Sequence, residues 1–76
     1  MVQDIREIDL RRISPNLRIV IAAECIEEIE HGIKRCGQQE PIVICFEHDS
    51  FRIIDGEKRW RACKRLGFKK IWAIIA

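Results

Sequence analysis

The chain has no apolar run of the roughly 20 residues that a membrane-spanning helix takes, and it opens on no signal-peptide pattern. A cytoplasmic location is therefore expected, with no membrane partner. It also lacks any C-x-x-C pair. Its cysteines are Cys25, Cys36, Cys45 and Cys63, and neither His31 nor His48 stands at a zinc-like spacing from them. Without a secretory signal the expected state is free thiols, with Cys45 and Cys63 serving as small core residues and no metal site. No repeat, low-complexity segment or linker interrupts the sequence, so residues 1–76 are read as one domain. A domain of that size buries a limited share of its surface and depends on good packing.

What is present is strongly patterned. The net charge is only +2, but its two signs are segregated. Met1 to Ser50 holds six Lys/Arg against ten Asp/Glu, a balance of −4, while Phe51 to Ala76 holds eight against two, a balance of +6. The basic end comprises Lys58, Arg59, Arg61, Lys64, Arg65, Lys69 and Lys70. Such asymmetry suits a partner bearing phosphates, and it also suits a merely solvated helix face.

Hydrophobic spacing divides the chain into short elements. Ile8 and Leu10 alternate with charge, as in a half-buried strand around Arg6–Asp9. Ser14-Pro15-Asn16 signals a turn. Ile26, Ile29 and Ile33 form one apolar stripe, which predicts a helix from Ala23 to Cys36. Acidic residues gather early in it and basic ones late, as its dipole favours, with Glu30 and Lys34 at pairing distance. Gly37 supplies the stop and Pro41 prevents continuation. Pro41–Phe46 and Phe51–Ile54 read as a hairpin with a loop of about four residues, Glu47 to Ser50, and His48 exposed at its tip. Gly56–Leu66 reads as a second helix stopped by Gly67, and Ile71–Ile75 as a final buried strand. The expected fold is α+β: a small mixed sheet with two helices on one face.

The candidate site lies where the hairpin turns into the second helix, at Asp55-Gly56-Glu57-Lys58-Arg59-Trp60-Arg61. Asp55 is the expected N-cap, and Gly56 the residue that lets backbone approach a ligand. The first turn of a helix presents unpaired N–H groups and the positive end of the dipole, which together suit an anion. Lys58, Arg59 and Arg61 add full charges. On this pattern alone a phosphate site and a solvated basic helix both remain open.

A second motif sharpens the choice. Gly37-Gln38-Gln39-Glu40-Pro41-Ile42 ends the first helix and opens a strand, and Gly56-Glu57-Lys58-Arg59-Trp60-Arg61-Ala62 opens the second helix. The pair resembles the N-terminal domain of the ParB family of chromosome and plasmid partition proteins, with G-x-x-Q-P-I and G-E-R-R-W-R-A in those places. The resemblance runs from about Ile8 to Ile75 and implies the ParB/sulfiredoxin fold, also called the ParB-like nuclease domain. It implies a nucleotide-binding regulatory module, with CTP and Mg²⁺ as ligands, belonging to a DNA-binding partition or transcription-regulator protein that is associated with nucleoid or plasmid and acts as a dimer. Carried over residue by residue, Gly56, Glu57, Lys58, Arg59 and Arg61 fall on the phosphate side, and Gly37, Gln38, Gln39, Glu40 and Pro41 on the neighbouring edge.

The departures are specific. Lys58 stands where the family has Arg, and keeps the charge without the fork geometry. Glu40 stands where Gln is usual. The family's DNA-reading helix-turn-helix, and the acidic-amide motif that completes the nucleotide and Mg²⁺ site, have no counterpart in this sequence, so DNA contact is expected through a domain outside it and any CTPase activity only in a longer protein. The alternative is an enzyme of the same fold, a nucleotide-dependent phosphotransferase or nuclease. The phosphate turn holds neither the cysteine of sulfiredoxins nor the histidine of free-serine kinases, which argues against both chemistries. Nuclease chemistry would fall to Asp55 and Glu57. Direct DNA binding by the basic helix is a third, weaker reading, in which contact would be unspecific and salt-sensitive.

Overall fold

The computed structural model describes residues 4–76. The start of the expected domain, residues 1–3, lies outside the described residues. In order the elements are β1 (Ile5–Asp9), a 3-10 turn (Leu10–Arg12), β2 (Ile13–Ser14), α1 (Ala23–Cys36), β3 (Ile42–Glu47), β4 (Ser50–Asp55), α2 (Glu57–Arg65) and β5 (Lys70–Ile75). The strands form one sheet in the order β1-β5-β3-β4-β2. It is mixed: β1–β5 and β3–β4 pair antiparallel, β3–β5 and β2–β4 parallel. The α+β expectation is borne out, with one edge strand more than the sequence suggested.

Both helices pack on one face of this sheet. Ile42 and Ile44 of β3, Phe51 and Ile53 of β4, and Ile71 and Ala73 of β5 meet Ile26 and Ile33 of α1 and Trp60, Ala62 and Cys63 of α2. Ile42 and Ile44 are fully buried, a burial worth roughly 1.5–3 kcal/mol for each side chain. Side chains alternate across a strand, so the opposite face carries Ile5, Ile54 and Trp72, all largely exposed. β5 is accordingly half-buried rather than buried throughout. The expectation for it rested on apolar content, which does not report how many faces are covered.

The helix ends follow from backbone chemistry. Gly67 has φ +82°, Phe68 N donates to the carbonyl of Cys63 and Gly67 N to that of Lys64, so α2 closes in a Schellman motif. The β3–β4 loop is shorter than expected. His48 and Asp49 alone form it, both at positive φ, and the primed turn this makes matches the twist of the strands. Glu30 of α1 does not pair with Lys34. It meets Arg65 of α2 at 2.7 Å and ties one helix to the other.

Candidate functional site

The β4–α2 junction is fixed by a contact that the local sequence does not announce. Gly56 has φ +105°, and a Cβ there would lie 2.6 Å from Ile42 Cγ2. Packing against β3 and the positive φ thus require glycine here, whatever the turn also offers a ligand. Gly56 also takes the N-cap position itself, and the cap makes no side-chain hydrogen bond. The expectation that Asp55 caps α2 is corrected: Asp55 is the last residue of β4. With no side-chain acceptor at the cap, the first amides of α2 remain available to an anion.

This first turn lines a cleft of about 490 Å³ with Asp55, Ile53, Ile54, Ile29 and the segment Ile19–Ile21. Lys58 and Arg59 line it as well, and Lys58 is exposed at its rim. A second cleft of about 310 Å³ is lined by Gly37, Gln38, Gln39 and Glu40 with Ile29 and the end of α1. Arg59 and Ile29 belong to both, so the two glycine-containing turns meet there. The meeting is made by an ion pair, Arg59 Nη2 to Glu40 Oε2 at 2.6 Å.

The remaining candidates are placed less directly. Gln38 Nε2 donates to the carbonyls of Glu40 and Trp72, both at 2.9 Å, and its Oε1 accepts from Trp72 N at 2.8 Å. Its amide acts as a short extra rung on β5, just ahead of Pro41, which has no N–H to give. Gln39 Nε2 donates to the carbonyl of Cys36 at the end of α1. Gly37 turns the chain at φ +76°. Both glutamine side chains are thus engaged with backbone, and what that turn offers the cleft is chiefly backbone and Glu40.

Glu57 lines the same cleft, but its carboxylate is engaged elsewhere, and Arg61 lies outside the lining. Glu57 is buried. Its Oε1 accepts from Asn16 N at 3.0 Å and its Oε2 from Arg61 Nε at 3.1 Å. Arg61 Nη2 then donates to the carbonyls of Asn16 and Ile19, at 3.2 and 2.8 Å. These bonds hold the loop Asn16–Ile21, which forms the far wall of the larger cleft. The loop's part in the site was not read from the sequence. The available signal was the i,i+4 spacing of Glu57 and Arg61 at the start of a basic helix.

The charge on α2 is therefore less free than its sequence implies. Arg59, Arg61 and Arg65 each face a glutamate, and Lys64 lies over the ring of Trp60. Among the described residues no three His, Cys, Asp or Glu stand together as a metal site. Burial pushes the Cys63 thiol up, so it stays protonated at neutral pH.

The geometry can be set beside known proteins. A family model, the ParB N-terminal domain, matches residues 1–76. The chain belongs to the ParB N-terminal domain family. A nucleoid occlusion protein of Geobacillus sp. (strain WCH70) is 41% identical over 78 residues, covering 96% of this chain and 27% of that protein. The chain thus spans little more than a quarter of such curated relatives. The C-terminally truncated chromosome-partitioning protein ParB of Caulobacter crescentus, complexed with CTP-gamma-S, superposes with a TM-score of 0.85 at 26% identity, over 96% of this chain and 44% of that one. The same protein complexed to the centromeric parS site gives 0.83 at 27%, over 93% and 40%. Sulfiredoxin from Arabidopsis thaliana gives 0.86 at 24% identity, over 96% and 84%, a likeness of fold alone. The ParB/sulfiredoxin fold expected from the two motifs is borne out.

Proposed function

We propose that this ParB N-terminal domain binds CTP, holding the triphosphate on the first turn of α2 and on Arg59, with the Gly37–Pro41 turn along the neighbouring edge. The observation that carries this is the uncapped start of α2 opening on a cleft with Arg59 at its side. A cleft of about 490 Å³ falls in the range of small-molecule sites, roughly 300–1,000 Å³. The similarity to a ParB complexed with CTP-gamma-S supports the choice of CTP among nucleotides. Backbone amides at the cap would take phosphate oxygens, Arg59 would add a two-point contact, and Lys58 a point charge at the rim. Glu57 and Arg61 contribute by fixing the loop that walls the cleft, not by touching phosphate with their side chains. Mg²⁺ would enter with the triphosphate, since the described residues supply no ligand cluster of their own for it.

In a longer protein this binding would regulate a dimeric, DNA-binding protein of the partition or nucleoid-occlusion kind, associated with the nucleoid or a plasmid. The similarities to a nucleoid occlusion protein and to a ParB complexed to parS support that setting. DNA recognition and any CTPase activity would then rest with parts beyond this domain. The enzymatic alternative has less behind it, because Glu57, its best-placed base, is engaged by Asn16 and Arg61.

The test is a calorimetric titration of the domain, and of the longer protein that carries it, with CTP, ATP and GTP, with and without Mg²⁺. CTP should bind in preference to the others. Arg59→Ala should weaken it about tenfold to a hundredfold, the worth of one charged hydrogen-bonded contact. Failure of every nucleotide to bind the longer protein would overturn the proposal.

A further inference from the structure

We infer that Glu40 is a built-in competitor for the phosphate site: its carboxylate holds, on Arg59, the place that a phosphate oxygen of the ligand would take. The inference rests on the phosphate-binding reading of α2 and adds a residue that sets its affinity.

Three features of the pair point this way. First, it is short and directed. Arg59 Nη2 donates to Glu40 Oε2 at 2.6 Å, across 19 residues of sequence, and joins the two turns that border the cleft. A planar carboxylate and a tetrahedral phosphate each offer a guanidinium a pair of anionic oxygens, so one can stand in for the other. Second, the backbone under Glu40 is held while its carboxylate is not. Gln38 Nε2 binds the Glu40 carbonyl at 2.9 Å, and Pro41 restricts the next residue. The Glu40 side chain is nevertheless 70% exposed, and no contact besides Arg59 engages its carboxylate among the described residues. It can leave Arg59 and enter water at little cost. Third, the alternative of a structural pair is already represented on the same helix by Glu57–Arg61, which is buried and reinforced by three further bonds to the Asn16–Ile21 loop. The Glu40–Arg59 pair has none of that support.

The consequence is a switchable seam. With Glu40 on Arg59, the ion pair stands between the larger cleft and the smaller one. A triphosphate arriving at the start of α2 must displace the carboxylate and then repels it, since like charges a few ångströms apart are unfavourable. Glu40 turning outward joins the two clefts. Nucleotide binding is thereby coupled to release of the Gly37–Pro41 turn from α2, and the basal affinity is held down until the ligand supplies enough charge to win the exchange. Ligands with fewer phosphate charges are selected against.

The experiment is isothermal titration of the longer protein with CTP, CDP and inorganic pyrophosphate, comparing wild type, Glu40→Gln, Arg59→Ala and the double variant. Glu40→Gln keeps the size and removes the charge. It should tighten CTP about threefold to tenfold, in line with the loss of a surface pair plus one repulsive charge, and should narrow the preference for CTP over CDP. In the Arg59→Ala background the same change should give much less, because the competitor has lost its seat; that non-additivity is the signature of a shared position. Equal or weaker CTP binding by Glu40→Gln, with wild type binding normally and Arg59→Ala impaired, overturns the inference and leaves the phosphate site standing. No binding by any variant overturns both.

Discussion

Two arginines two residues apart on one helix each face a glutamate, and the two pairs do opposite things. Arg61 and Glu57 are largely shielded, with side-chain exposures of 22% and 8%, and between them they make three further bonds to backbone of the Asn16–Ile21 loop. Arg59 and Glu40 make one contact, with Glu40 mostly in water. Identical chemistry is structural in the first case and exchangeable in the second. Breaking a buried pair strands a charge, whereas breaking the second pair returns Glu40 to water and leaves Arg59, 31% exposed, partly in reach of it. The sequence motif that carries both arginines does not distinguish them. Burial and partner count do.

Removing the ground beneath both pairs should have the largest effect. Gly56→Ala places a Cβ 2.6 Å from Ile42 Cγ2 at a φ that L-residues disfavour. The two penalties together amount to about 2–5 kcal/mol, a large part of the roughly 4–11 kcal/mol expected for a domain of this size. Thermal melting should show a domain that is barely folded or unfolded at 37 °C. A near-normal melting temperature would mean that the turn relaxes easily and that Gly56 has some other purpose.

Next comes the buried pair alone. Glu57→Ala strands Arg61 and frees Asn16 N, at a cost of about 3 kcal/mol. That is the low end for a buried pair, because Arg61 keeps two carbonyls and some water. The melting temperature should fall by more than about 10 °C, given roughly 4–8 °C per kcal/mol in small domains. Amide exchange should accelerate first at the Asn16–Ile21 loop, and CTP affinity should fall with it as the cleft loses its wall. Arg59→Ala is the counterpart. It should cost under about 1 kcal/mol of stability while removing most nucleotide affinity. A variant that melts like Glu57→Ala would erase the contrast between the pairs.

Much of this architecture was legible, and the parts that were not share a cause. The stripe Ile26, Ile29 and Ile33 and the stop at Gly37 located α1 at Ala23–Cys36. Strong local punctuation likewise placed the hairpin and the α2 stop at Gly67. What escaped depended on contacts between distant residues. Asp55 looked like a cap because its side chain suits one, but the position belongs to Gly56 through its packing on Ile42. β2 has two residues and no pattern of its own; it exists because β4 offers a free edge. Gln38 could be read as part of the cleft's edge, which it lines, but not as the side chain that completes a ladder on Trp72. Arg59 could be placed beside the phosphate turn from its motif, but not Glu40 upon it, since nothing local joins residues on separate turns.

Salt gives the finest division between the two pairs, and needs no folded-state rescue. The screening length is about 10 Å at 0.1 M and about 3 Å at 1 M, and exposed charges are screened far more than buried ones. Glu40→Gln should lower the melting temperature of the ligand-free domain by only a few degrees at 50 mM salt, the exposed pair being worth about 0.2–1 kcal/mol. At 0.5 M salt that difference should vanish. The deficit of Glu57→Ala should persist across the same range, because the carboxylate it removes is only 8% exposed and is screened much less. If both differences collapsed together, Glu57–Arg61 would be held by long-range attraction rather than by its buried bonds. If neither did, the Glu40–Arg59 contact would be more shielded than its 70% exposure allows, and a phosphate could not readily take its place.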